Sequence, residues 1–150
     1  MYCGNFLLLV VIAGGAYKFI IQGAAVEADD GRVVIQLTAT ERDLVLTEMR
    51  AFLASVQQIT QGIANNDMKL VATAAKKGGN SVQRDMPGAL VGKLPLSFKK
   101  LGHDTHSKFD QLALDAESLG DGEHALEQLS EILQNCVACH ATHRFEVSAD

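Results

Sequence analysis

Apolar and polar residues follow three different spacings along this chain. From Phe6 to Tyr17 there is no charged residue, and after the single Lys18 the apolar character resumes as FIIQGAAV before breaking off at Asp29-Asp30. Residues 31–37, GRVVIQL, have the composition of a short extended stretch. Beyond Thr38 the apolar residues recur in steps of three and four, the spacing of one helix face. Val45, Met49, Phe52, Val56, Ile59 and Ile63 form the first such stripe and predict a helix over residues 40–65. Thr38 with Glu41, or Thr40 with Asp43, can supply its capping box. A shorter helix is expected over 67–77, stopped by Lys76-Lys77-Gly78-Gly79. Residues 80–94 carry no period and contain a turn signal, Asp85-Met86-Pro87-Gly88. Pro95 suits the first turn of a third helix to residue 119, with Phe98, Leu101, Thr105, Phe109, Leu112 and Ala116 inward. His103 falls outside that face and His106 on its flank. A fourth helix over 122–144 turns Leu126, Leu129, Leu133, Cys136 and His140 to one side, expected to be the buried one. The pattern is that of an all-α protein, an antiparallel four-helix bundle over residues 40–146. A lead-in linker over 29–39 precedes it.

The first 28 residues read as an export segment. Val26-Glu27-Ala28 has the small-x-small form of a signal-peptide cleavage site, which would release a chain starting at Asp29. Residues 6–26 are also long enough to span a bilayer as a retained anchor. Each reading has a flaw: residues 1–5 lack the positive charge of a signal peptide, and an anchor must accommodate Lys18. Either one places the domain outside the cytoplasm.

Composition adds little to the fold. A chain of 150 residues fits one domain with a sizeable core. Two prolines and an abundance of Ala, Leu, Gln and Glu agree with helix. The net charge of -5 argues against nucleic acid and anionic lipid as partners and permits docking to a basic patch on a redox protein. Aromatics make up only 5% and Trp is absent, which suits a core partly filled by a cofactor and equally suits an Ala-rich bundle without one.

The chemistry is concentrated in Cys136-Val137-Ala138-Cys139-His140, the spacing of c-type haem attachment. On a helix the two thiols project about a turn apart and can form thioethers with two vinyl groups on one porphyrin edge. His140 then lies beside the ring plane, where an imidazole nitrogen can bind the iron as proximal ligand. Three other uses of the pair compete. A redox dithiol expects a strand before it, and here the pattern is helical. A zinc site needs four ligands, and there is no second cysteine pair. The third is a pair of ordinary buried cysteines. Cys3 is left over and cannot pair with cysteines that carry thioethers. One covalent haem c at one end of the bundle is therefore the expected cofactor. No Ser/His/Asp or paired-carboxylate constellation argues for hydrolysis, and an enzyme is not expected.

Four helices with CVACH near the C-terminus resemble the cytochrome c-prime family of periplasmic haem bundles. The resemblance covers residues 40–146, and its specific part is Cys136, Cys139, His140 and the basic Arg144 four residues on. It implies one of two functions. In one branch of the family an apolar side chain covers the distal haem face, and the five-coordinate, high-spin iron binds NO or CO. In the other a methionine on the first helix is the sixth ligand, and the low-spin iron transfers electrons. Thr47-Glu48-Met49-Arg50 resembles the second branch, which implies Met49 as distal ligand. Arg144, one turn after His140, is expected either as a proximal-side contact or as a charge at the helix end that interacts with the dipole. Met68, Met86 and His106 are the competing ligands, while His103, His124 and His143 are expected at the rim or in solvent. A membrane-tethered haem subunit of a larger redox complex is a third reading. The resemblance also allows a homodimer through the first two helices. The chain departs from the family where an Arg often precedes the distal residue by one turn: Val45 stands there, and the nearest basic residues are Arg42 and Arg50.

Overall fold

The computed structural model describes residues 2–81 and 86–148, without the side chains of residues 2–4. Asp85 of the expected turn and the thiol of Cys3 therefore lie outside the described residues. In chain order the elements are α1 (Tyr2–Ala16), a π-helical turn (Tyr17–Gln22), β1 (Ala25–Glu27), β2 (Val33–Leu37), α2 (Ala39–Ala64), α3 (Met68–Lys76), α4 (Gly88–Lys93), α5 (Leu96–Ser118), α6 (Gly122–Thr142) and β3 (His143–Val147).

Side-chain caps set the starts of three helices. Thr38 rather than Thr40 opens α2: its backbone N–H donates to Glu41 Oε2 at 2.9 Å, and the Glu41 N–H donates back to Thr38 Oγ1 at 3.3 Å. Asp67 caps α3 by accepting from the Leu70 N–H, and Asp121 caps α6 by accepting from Glu123 and His124. Within the segment expected to be irregular, Gly88–Lys93 forms the short α4, which buries Leu90.

Helices α2, α3, α5 and α6 pack around one cluster that includes Ile59, Val71, Phe109, Leu112, Leu129 and Ile132. A second cluster joins Ile35, Leu37, Val45, Leu90 and Leu94, with Met49, Met86, Phe98 and Phe145 packed against it.

The chain is mostly helical, yet it is not all-α. β1, β2 and β3 form a three-stranded sheet with β2 in the centre. β1 pairs with β2 antiparallel, and β3 pairs with β2 in parallel, Val33 opposite His143 through Leu37 opposite Val147. The expected linker is thus the central strand, with Val34, Ile35 and Leu37 buried. Its β-branched residues fit a pleated, covered surface.

The last helix also ends earlier and faces differently than its spacing predicts. It stops at Thr142, and its buried residues are Ala125, Leu129, Ile132 and Asn135. Leu126 and Leu133 remain 53% and 41% exposed, and His140 is exposed too. The cause is α5, which grips α6 through polar side chains. Asn135 Nδ2 donates to Asp104 Oδ2 at 2.7 Å and to Thr105 Oγ1 at 3.3 Å, which turns Asn135 inward and rotates the leucine stripe out.

Candidate haem-attachment site

Cys136 and Cys139 lie three residues apart on the last two turns of α6, both partly buried and both free thiols. Burial pushes both thiols up, Cys139 to about 11 with a further contribution from its neighbour Cys136. They stand at the C-terminal end of their helix, where the dipole disfavours a thiolate. A redox dithiol needs the opposite, a lowered pKa of the kind a helix N-terminus supplies. Among the described residues no group of three or more His, Cys, Asp or Glu side chains gathers as a metal site. The raised thiol pKa values disfavour the redox use of the pair.

The same helix carries a strip of exposed apolar residues beside the face of the thiols. Val137 is 69% exposed and lies beside Leu126, Leu133 and His140 within an arc of about 60°, at about 100° per residue. This strip is on the side of α6 away from α5. On α2, Met49 and the 70% exposed Leu53 lie on the flank away from α3, which packs on the other side through Gln58 and Lys77. Both strips therefore border the seam between α2 and α6, which make sparser contact with each other than α5 makes with α6. Exposed apolar residues along such a seam are a surface that asks for a cover.

The same layer of the structure holds Met49 and Cys136. One turn of α5 contacts both helices: His106 Nε2 lies 3.4 Å from Glu48 Oε1, and Thr105 Oγ1 accepts from Asn135. Met49 and Cys136 each follow the gripped residue by one position. Met49 is half-buried, against the cluster that holds Met86, Phe98 and Phe145.

The other ligand candidates separate clearly. Met68 packs beside Gly122 at the start of α6, about 20 Å from the motif at about 1.5 Å per residue. It lines a cleft of 520 Å³ with Lys69, Thr73, Ala116, Glu117 and Gly120, at the end remote from the cysteines. Met86 shares the apolar cluster of Met49. His106, expected on a flank, is 3% exposed, and both ring nitrogens are engaged. Its Nδ1–H donates to the Gly78 carbonyl at 2.7 Å, and Nε2 faces Glu48. His143, expected at the rim, is 7% exposed. Ser97 Oγ lies 3.0 Å from its Nε2, and its ring meets Phe98 edge-on. His103 is exposed and His124 lies at the surface near Asp115, both as expected. Arg144 is not one helical turn beyond His140, because the helix has ended. It sits on β3 and pairs with Glu146 at 2.7 Å and with Asp30 at 3.7 Å. Sequence spacing missed His143 and the strand it opens, since nothing local marks a helix that passes directly into a strand.

Burial acts to lower the His106 pKa, but the Glu48 carboxylate and the Gly78 carbonyl outweigh it, and the net shift is upward. The stability from this site is fully present below the unfolded value of about 6.5 and is lost as pH rises through the higher folded value. The urea midpoint is therefore expected to fall between about pH 6 and about pH 9, and to fall less in His106→Gln. Equal pH profiles for the two proteins would show that the pair contributes nothing.

No family model, curated protein or solved structure matches this chain.

Proposed function

We propose that this protein is an exported c-type cytochrome whose helices α2, α3, α5 and α6 form an antiparallel four-helix bundle. In this reading one haem is covalently held in the seam between α2 and α6, and the protein carries single electrons. The observation that carries the reading is the pair of neutral, half-buried thiols beside an exposed histidine, bordered by uncovered apolar strips on two helices. Cys136 Sγ and Cys139 Sγ would each add across a vinyl group, the new S–C bond replacing S–H and the hydrogen passing to the neighbouring vinyl carbon. His140 is free to turn an imidazole nitrogen to the iron. Met49, in the layer of Cys136, would supply the sixth ligand, and a thioether ligand raises the reduction potential. The haem supplies reversible one-electron chemistry. The protein orients it and keeps water from its face. Arg144 is not assigned a role at the iron, because Asp30 and Glu146 occupy it.

The packing of Met49 into an apolar cluster supports a second reading. There Met49 covers an open distal face, the iron is five-coordinate, and the function is binding of NO or CO. Visible and EPR spectra of the ferric and ferrous protein, with and without CO, separate the two. A low-spin form indifferent to CO is the expected result, and Met49→Ala is expected to convert it to a high-spin form that binds CO. A high-spin wild-type protein would replace electron transfer by gas binding. An unchanged spectrum in Met49→Ala would remove Met49 from the iron.

A further inference from the structure

The segment that sequence reads either as a cleaved leader or as an anchor is built into the domain. The 18-residue stretch Asn5–Gln22 has a mean hydropathy of 1.6, and none of it is buried. At about 1.5 Å per residue it is about 27 Å long, close to the hydrocarbon thickness of a bilayer. Its junction with the sheet is not a loose tether. Gly23 adopts φ 62°, the left-handed region, and a Cβ there would collide with the Lys93 carbonyl oxygen. The Ala24 N–H donates to that same carbonyl at 2.7 Å. Ala25, Val26 and Glu27 then pair residue by residue with Ile35, Val34 and Val33. Lys99 Nζ donates to the carbonyls of Phe19 at 3.2 Å and Ile20 at 3.5 Å, placing a cation on the last turn of the apolar helix. Cleavage after Ala28 would remove all of these contacts and turn the central strand β2 into an edge.

We propose that residues 5–22 remain in the mature protein as a membrane anchor, held rigidly by β1 and the Gly23–Lys93 contact so that the sheet end of the domain rests on the bilayer surface. The side chains at that junction suit a lipid interface. Tyr17 and Phe19 are exposed aromatics flanking Lys18, whose ammonium extends back toward Gln22. Lys99 and Lys100 follow one another near the start of α5, and the partly exposed Val91 is on α4 next to Gly92, which lies against Phe19. Bilayer headgroups, anionic ones included, can pair with these lysines despite the acidic net charge of the chain. Because β3 follows α6 directly and joins this sheet, the end that carries Cys136–His140 is the membrane-proximal one. The anchor does not depend on haem, so its test can succeed or fail independently of haem attachment.

The test uses the full chain, exported and purified without a replaced leader. Intact mass of the membrane fraction is expected to include residues 1–28, and the protein is expected to resist carbonate and yield to detergent. A soluble product starting at or near Asp29 would overturn the proposal. Docking is tested with single tryptophan probes, since the natural chain has none. Val91→Trp and Ser118→Trp proteins are placed in phosphatidylcholine/phosphatidylglycerol vesicles with or without bromine on the acyl chains. Ser118 ends α5, about 33 Å from its start. Bromine-dependent loss of fluorescence is expected for the probe at 91 and not at 118. Gly23→Val is expected to abolish that difference while the protein stays in the membrane fraction. Equal quenching of the two probes in otherwise unaltered protein would mean a swinging domain and would overturn the rigid docking.

Discussion

A Cys136→Ser, Cys139→Ser double variant is expected to lose covalent haem completely. The unaltered protein should keep haem absorbance with the polypeptide through acid–solvent extraction, and its intact mass should include one haem. The double variant should release all haem to the solvent phase. Each single variant keeps one thioether and should retain haem through extraction. The all-or-none contrast follows from the structure, since each half-buried thiol is available for its own bond and the two are not joined to each other. Serine is close to cysteine in volume, so helical content is expected to persist. The added cost of placing a hydroxyl there is about 1–3 kcal/mol per site unless it finds a partner. A polypeptide-only mass for the unaltered exported protein, matured where haem attachment operates, would sink the haem reading altogether.

Phe109→Ala is expected to cost about 3–5 kcal/mol, a large part of the stability of a domain of this size. Phe109 is 0% exposed and stacks on Phe52 with centroids 5.4 Å apart and planes within 1°. It also carries the turn after α3. A Cβ on Gly78 would lie 2.7 Å from the Phe109 ring, so backbone and ring are already in tight contact. Helices on three sides hold the ring, and they cannot all close on the space an alanine leaves. The cavity term then adds to the lost transfer energy. Urea denaturation followed by far-UV circular dichroism measures the loss. A cost below about 1 kcal/mol would mean that the helices collapse onto the gap.

The four longer helices of the folded body were legible from their apolar spacing, helped by a side-chain cap at the start of α2, α3 and α6 and by Pro95 ahead of α5. Asp67 and Asp121 needed no tertiary information. The sheet was hidden for a physical reason. A five-residue strand has too few turns of pattern to declare itself, and the parallel partner of β2 lies at the other end of the chain. The rotation of α6 was hidden as well. Leu126 and Leu133 look like core on a helical wheel, and only the side-chain hydrogen bonds of Asn135 to α5 reverse the choice. The same limit applied to histidine. By spacing His106 falls on a flank and His143 at the rim, yet both are buried, with Gly78 and Glu48 beside the first and Ser97 beside the second. The haem proposal for Cys136–His140 draws on sequence more than on the fold, because it rests on two bonds and one ligand in a fixed local order.

The pairing of β2 with β3 sets an order of events. Ser148 bonds to the Leu37 carbonyl across 111 residues of chain, so the loop it closes is among the longest the molecule makes. Closing such a loop is entropically costly and slow relative to helix formation and hairpin contact. The helical layers can assemble from neighbours in sequence, while the end that carries Cys136–His140 closes only after the final strand has been made and found its place. If haem is attached as proposed, a large flat group would meet the two thiols while that end is still open.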